Sequence, residues 1–130
     1  MAGISPTQRT LAYLKEQGLS AHMVERYVRI PSAPGGGKRI DLLHIIDIIT
    51  VSPEKGIGGV QSCGSAFSDH YKKIISDYRD NTKLWLDAGG TLLLIGWRKL
   101  KRKKQDGTYS KLYSWEPRIK EITLADLEES

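Results

Sequence analysis

The sequence predicts an α/β (α+β) fold, a mixed β-sheet flanked by helices in the order α-β-β-β-α-β-β. Three observations carry this. Residues 39–51 hold the densest apolar run, rich in β-branched Ile and Val, which favours strand over helix. Phe67, Tyr71, Ile74, Ile75 and Tyr78 recur at helical spacing. In the last third, Thr91–Trp97 and Lys111–Trp115 flank the turn sequence Gln105-Asp106-Gly107-Thr108, the pattern of a β-hairpin. With 130 residues the chain is read as a single domain over 1–130.

The elements follow in order. A first helix is expected from Thr7 to Gln17, with Ser5 as cap, Pro6 in the first turn and Gly18 as stop. Residues 22–30 read as extended through Val24, Tyr27, Val28 and Ile30, followed by a Pro/Gly loop over 31–37. In the 39–51 strand apolar residues occupy both parities, so it should be central and covered on both faces. Ser52-Pro53-Glu54-Lys55-Gly56 is a turn into a strand over 57–63, which makes 45–63 a hairpin. The helical region should start at a Ser65 or Ser68 cap, break at Asp80-Asn81 and stop at Gly89-Gly90. Trp85, Trp97 and Trp115 are expected in the core or flanking the sheet, not as base-stacking platforms. Thr123 to Glu129 can close the chain as a short acidic helix.

Composition excludes several classes. The 39% apolar and 27% charged fractions are those of a globular protein. No apolar run approaches the 18 or so residues that cross a bilayer, and no signal peptide is apparent. One cysteine, Cys63, rules out an intrachain disulfide, so a cytoplasmic setting is the default expectation. The net charge of +5 is concentrated. Residues 98–104 hold six basic residues in seven: Arg98, Lys99, Lys101, Arg102, Lys103 and Lys104. Without them 14 basic residues face 15 acidic ones. Such a segment is either a solvated loop tip or the docking arm for a polyanion, nucleic acid before membrane.

Asp47 is the first candidate for chemistry. A carboxylate among Ile and Leu is costly unless a cation or strong donor faces it. Its structural alternative is an Asp accepting backbone hydrogen bonds at a strand end. If the 45–63 hairpin pairs across its turn, Asp47 lies in register beside Gln61, and Gln61 and Cys63 share a face. Gly58 and Gly59 permit close approach by a backbone or ligand. Gly35-Gly36-Gly37-Lys38 lacks the full phosphate-loop pattern and a following helix. It reads as a loop that places Lys38 and Arg39 near nucleic acid. His22, His44 and His70 lack finger spacing, and His70 reads as a surface residue. Cys63 reads as a core thiol before a nucleophile.

Ile46-Asp47-Ile48-Ile49, a turn, and Gly59-Val60-Gln61-Ser62-Cys63 resemble the PD-(D/E)XK nuclease superfamily. The resemblance extends to a small phage and bacterial branch similar to Holliday-junction resolvases. Asp41-Leu42 precedes Asp47. Gln61-Ser62-Cys63 stands in place of Glu-x-Lys. Trp85-Leu86-Asp87-Ala88-Gly89-Gly90 is followed by Gly96-Trp97-Arg98-Lys99. The resemblance covers residues 7–116. It implies a restriction-endonuclease-like sheet, a bacterial or phage-infected host cell, and Mg²⁺- or Mn²⁺-dependent cleavage of DNA, including branched DNA. Asp47, Gln61 and the Ser62 carbonyl would hold the metal, with Asp41 and Glu25 as extra carboxylates. Glu25 can equally pair with Arg26 or Arg29. Asp41 can join only if the chain bends near His44. Cys63 occupies the Lys position of the motif, so Lys72 or Lys73 from the next helix would supply the cation. A homodimer is expected from the two-fold symmetry of duplex targets. The competing expectations are a nuclease-fold DNA-binding module without catalysis, or a phage accessory protein acting through protein contacts.

Overall fold

The computed structural model describes residues 4–32 and 34–128. Its centre is a five-stranded mixed sheet in the order β1-β4-β5-β6-β7: β1 Ser20–Met23, β4 Ile48–Ser52, β5 Gly56–Cys63, β6 Thr91–Lys103 and β7 Tyr109–Ile122. Only β5 and β6 run parallel, joined by the helical crossover 67–87. Two short strands, β2 Arg26–Arg29 and β3 Gly37–Ile40, form a separate antiparallel pair.

Side-chain alternation divides the core into two layers. Toward one face, Leu92 and Leu94 join Ile45, Ile46, Cys63 and Ile74 beneath α2 (Phe67–Lys72) and α3 (Arg79–Asp87). Toward the other, Ile48, Val60, Ile95 and Trp97 pack with Leu14 of α1 (Pro6–Glu16). The sheet is thus covered on both faces, and Ile48 and Ile49 of β4 face opposite layers, as the double parity of this run requires.

The first helix forms where its signals place it. Ser5 Oγ accepts from the Gln8 amide at 3.1 Å, and Gln8 Oε1 accepts from Ser5 N–H at 3.2 Å, a reciprocal capping box. The 45–63 hairpin also forms, with Ser52 opposite Gly56 and Ile48 opposite Val60.

Elsewhere the expected elements divide. The extended stretch 22–30 separates into β1 and β2, which belong to different sheets. The 39–51 strand is two strands, β3 and β4, with a turn between them. Leu43 and His44 adopt left-handed conformations, φ 53° and 63°, which cost roughly 1–3 kcal/mol each for side-chain-bearing residues. Tertiary contacts hold them there. Leu42 and Ile46 exchange two backbone hydrogen bonds of 2.9 Å, and Asn81 Nδ2 donates to the Leu43 carbonyl at 2.8 Å. The His44 ring stacks on Tyr78 at 5.0 Å.

The long helical region breaks at Tyr78, not at Asp80-Asn81, which lie inside α3. A π-helical turn over Lys73–Asp77 precedes the break, and the buried Thr82 hydroxyl donates to the Ile74 carbonyl at 2.7 Å. Neither Ser65 nor Ser68 caps α2, whose cap position is Ala66. Gly58 and Gly59 open no ligand space. A Cβ at Gly59 would strike Ile46, and one at Gly58 would strike the Thr50 and Thr91 hydroxyls.

β6 and β7 are both longer than their sequence patterns suggest and project as an arm closed by the 104–108 turn. Short α4 (Leu124–Glu128) follows β7; Glu129, included in the expected acidic helix, lies outside the described residues. Among the described residues no helix is long and apolar enough to cross a membrane.

Candidate metal and nucleic-acid site

The hairpin register puts Asp47 beside Gln61, and the left-handed turn adds Asp41. Had 39–51 continued as one strand, Asp41 would stand roughly 20 Å from Asp47. Instead Gln61 Nε2 donates to Asp47 Oδ2 at 2.7 Å and to Asp41 Oδ2 at 3.3 Å. The Ser62 N–H donates to Asp47 Oδ2 at 2.8 Å. Glu25, from the link between β1 and β2, closes the group. Carboxylate oxygens of Glu25, Asp41 and Asp47 lie within 4.8 Å of one another, and the three can hold a metal ion.

Of the two candidate lysines, the helix brings Lys73. Its Nζ donates to Gln61 Oε1 at 3.1 Å and stands 3.7 Å from Asp41 Oδ2, whereas Lys72 is exposed on α2. The Gln61 amide is therefore oriented on both sides, nitrogen toward the carboxylates and oxygen toward the ammonium. Ser62 contributes its backbone at Asp47. Its side chain lies on the opposite sheet face, 2.7 Å from Thr10 Oγ1, which in turn accepts from Trp97 Nε1 at 2.8 Å. Glu25 pairs with Arg39 of β3 at 3.4 Å, not with Arg26 or Arg29, the alternative its sequence neighbours offered. Lys38 is exposed on β3.

The electrostatics are under-compensated. Burial pushes the Asp47 carboxyl up to about 8, and its contact with Asp41 adds to the rise. The donated hydrogen bonds of Ser62 and Gln61 only partly oppose it. Cys63 is buried on the same face. Burial, and secondarily the nearby Asp47, raises its thiol to about 11, so at neutral pH it stays protonated as a core residue and cannot act as nucleophile.

His70 is nearer the site than its surface reading suggested. Its Nδ1 is buried without a hydrogen-bond partner among the described residues, and burial followed by the Lys73 charge lowers its pKa. The available signal was its position three residues before Lys73 on one helix, which puts both on one side. Two open clefts flank the carboxylates. One, of about 360 Å³, includes Glu25, Arg26 and Arg39; the other, of about 410 Å³, includes Arg26, Asp41 and His44. Arg26, which sequence reasoning treated only as a partner for Glu25, lines both.

The basic segment forms the rising strand and tip of the projecting arm. Arg98, Lys99, Lys101, Arg102, Lys103 and Lys104 are all exposed. Lys99 is paired opposite Trp115 and Lys101 opposite Tyr113, so these four side chains share one face. Lys99 Nζ lies 5.0 Å from the Tyr113 ring centre, and the Arg9 guanidinium lies 4.4 Å over Trp115. Trp97 is buried and Trp85 half-buried, but Trp115 is 45% exposed on this arm rather than packed in the core.

No protein-family model, curated protein or solved structure matches this chain.

Proposed function

We propose that the chain is a metal-dependent DNA endonuclease that hydrolyses phosphodiesters, with Mg²⁺ or Mn²⁺ at Glu25, Asp41 and Asp47. The observation that carries this reading is the convergence of those three carboxylates beside Lys73. Their donor set fits the ion. It is all oxygen, the ligand type that hard divalent cations take, and the three carboxylate oxygens lie within 4.8 Å of one another. Burial and the adjoining Asp41 both disfavour the ionised form of Asp47, and a divalent cation held there would favour it by opposite charge.

When bound, the ion supplies Lewis-acid polarisation of the phosphate and a more acidic water. The chain's own residues do the rest. Asp47 and Asp41 are held in position by Gln61 and the Ser62 N–H. The Ser62 carbonyl shares the strand edge of its N–H and is thereby directed to the Asp47 side. Lys73 supplies the positive charge that Cys63 cannot, and Arg26 and Arg39 line the clefts through which a phosphate would approach. The arm holds the substrate away from the chemistry, and a homodimer would place two such sites on a duplex.

The test is cleavage of plasmid, single-stranded and four-way-junction DNA with Mg²⁺ or Mn²⁺, beside Asp47→Ala. Metal-dependent cutting lost in the variant is expected; no cutting of any substrate, or cutting unchanged in the variant, overturns the reading.

A second reading, a DNA-binding module of the same fold without catalysis, is favoured by one observation. Gln61 replaces an acidic residue and turns its amide nitrogen, a donor and not a metal ligand, toward both aspartates. It predicts salt-dependent DNA binding with no calorimetric Mn²⁺ site. In both readings, neutralising Lys101, Arg102, Lys103 and Lys104 together weakens DNA binding. The slope of log K against log salt should fall by about 0.9 for each phosphate contact removed. If neither DNA nor metal binds, the arm and the exposed Glu128 become contacts of a protein partner, while Asp126, buried and bonded within the fold, does not.

A further inference from the structure

We infer that one face of the β6–β7 arm is a stacking track for single-stranded DNA, so that the preferred substrate presents unpaired bases next to the arm. The track is formed by Tyr113, Trp115, Lys99, Lys101 and Arg9.

Three observations converge on it. First, the register fixes both aromatics and both lysines on the same face of the hairpin. Tyr113 and Trp115 are 46% and 45% exposed, although a globular fold normally buries rings of this size. Second, cations alternate with the rings. Lys99 and Lys101 lie 5.0 and 6.0 Å from the Tyr113 centre, and Arg9 reaches from α1 to Trp115. Bases stack on any aromatic face whatever their identity, and cations beside the rings follow the phosphates. An apolar protein partner would not call for that alternation, and the segment carries the whole excess charge of the chain.

Third, the track ends in a cleft on the α1 side of the sheet, the face opposite Asp47 and Gln61, so bases held there lie apart from the carboxylates. At the base of the arm a cleft of about 460 Å³ lies between Arg9, Trp97, Trp115 and the Gly64-Ser65 turn, within the size range of small-molecule pockets. Tyr113 and Trp115 are about 6.8 Å apart along β7, so each can take its own base. Blunt duplex DNA offers no free base faces and would use only the cations.

This inference deepens the DNA-cleaving reading by naming its substrate class, but binding in EDTA tests it apart from cleavage. The probes are labelled oligo(dT) and a blunt duplex of equal length, read by anisotropy over a salt series, with intrinsic tryptophan emission followed in parallel. Trp115→Leu and Tyr113→Leu should each weaken oligo(dT) binding about tenfold while leaving the duplex affinity and the salt slope unchanged. Trp115→Phe, which keeps a ring face, should retain most of the affinity. Oligo(dT) should quench the wild-type emission, and the quench should disappear in Trp115→Leu.

Equal losses for single strand and duplex, no loss for either, or no DNA binding by the wild type would overturn the inference. So would polyglutamate binding as tightly as oligo(dT) with the same dependence on Trp115, which would assign the face to an acidic protein. Single-strand binding as described with no cleavage leaves the track standing and overturns the nuclease reading alone.

Discussion

Asp47 and Asp126 are both buried aspartates, 4% and 9% exposed, and they behave in opposite ways. Asp126 is surrounded by donors. It accepts from the Thr123 N–H at 2.8 Å and from the Tyr71 hydroxyl at 2.9 Å, and Lys120 Nζ lies 3.2 Å away. Burial alone would raise its pKa, but those donors outweigh it and hold the carboxyl below its usual value. Asp47 has two donors and a carboxylate neighbour, and burial carries it up to about 8. One is a satisfied structural group that ties α4 back to β7 and α2. The other keeps an unmet demand for positive charge. Burial of a carboxylate therefore says little about function until its partners are counted.

The largest expected effect separates the two by metal. Asp47→Ala should lower Mn²⁺ affinity and any metal-dependent cleavage by more than about 100-fold, the upper end of what losing an outer-shell partner does. Asp126→Ala should leave both unchanged. Calorimetric titration with Mn²⁺ reads the difference, and equal losses in the two variants would remove the distinction.

Restoring an acid at position 61 sharpens it. Gln61→Glu adds a carboxylate where Gln61 now donates to Asp41 and Asp47. Mn²⁺ should then bind roughly tenfold tighter or better, while the protein in EDTA melts lower because a donor to the buried Asp47 and the half-buried Asp41 is lost. A variant that binds Mn²⁺ no better than wild type would separate this cluster from metal chemistry.

Smaller effects concern stability. Asp126→Asn weakens a charge-assisted set of bonds and should cost about 1–3 kcal/mol, several degrees of Tm for a chain of this size. Asp47→Asn should cost little in acid, because the amide imitates the protonated carboxyl, and should melt above wild type near pH 8.

The pH profiles give the finest test, with opposite signs. A carboxyl whose folded pKa is raised contributes stability below its unfolded value near 4, and that contribution is lost as pH rises through about 8. In EDTA the wild-type Tm should therefore fall between pH 4 and 8 relative to Asp47→Asn, and Mn²⁺ should flatten the fall. Asp126, held low, contributes above its unfolded value and loses that contribution only as pH falls below it. The difference between wild type and Asp126→Asn should accordingly close in acid.

The sequence alone determined whatever short-range physics controls. The capped first helix, the 45–63 hairpin and the turn of the arm are local matters of capping, alternation and turn residues. They were legible from Ser5, Pro6 and Gly18, from Ser52 to Gly56, and from Asp106-Gly107. So was the juxtaposition of Asp47 with Gln61, because hairpin register follows from the turn.

Tertiary structure decided the rest. Leu43 and His44 would not adopt left-handed conformations by preference. Asn81, Tyr78 and the Leu42–Ile46 bridge hold them there, and that bend is what brings Asp41 to Asp47. Lys73 was distinguished from Lys72 by the seating of the helix on the sheet, because neighbours on a helix point about 100° apart. Trp115 stayed exposed because the β6–β7 hairpin runs past the edge of the core, a length that alternation alone does not limit. Spacing along the chain fixes which side chains share a face, but only packing decides which faces find a partner.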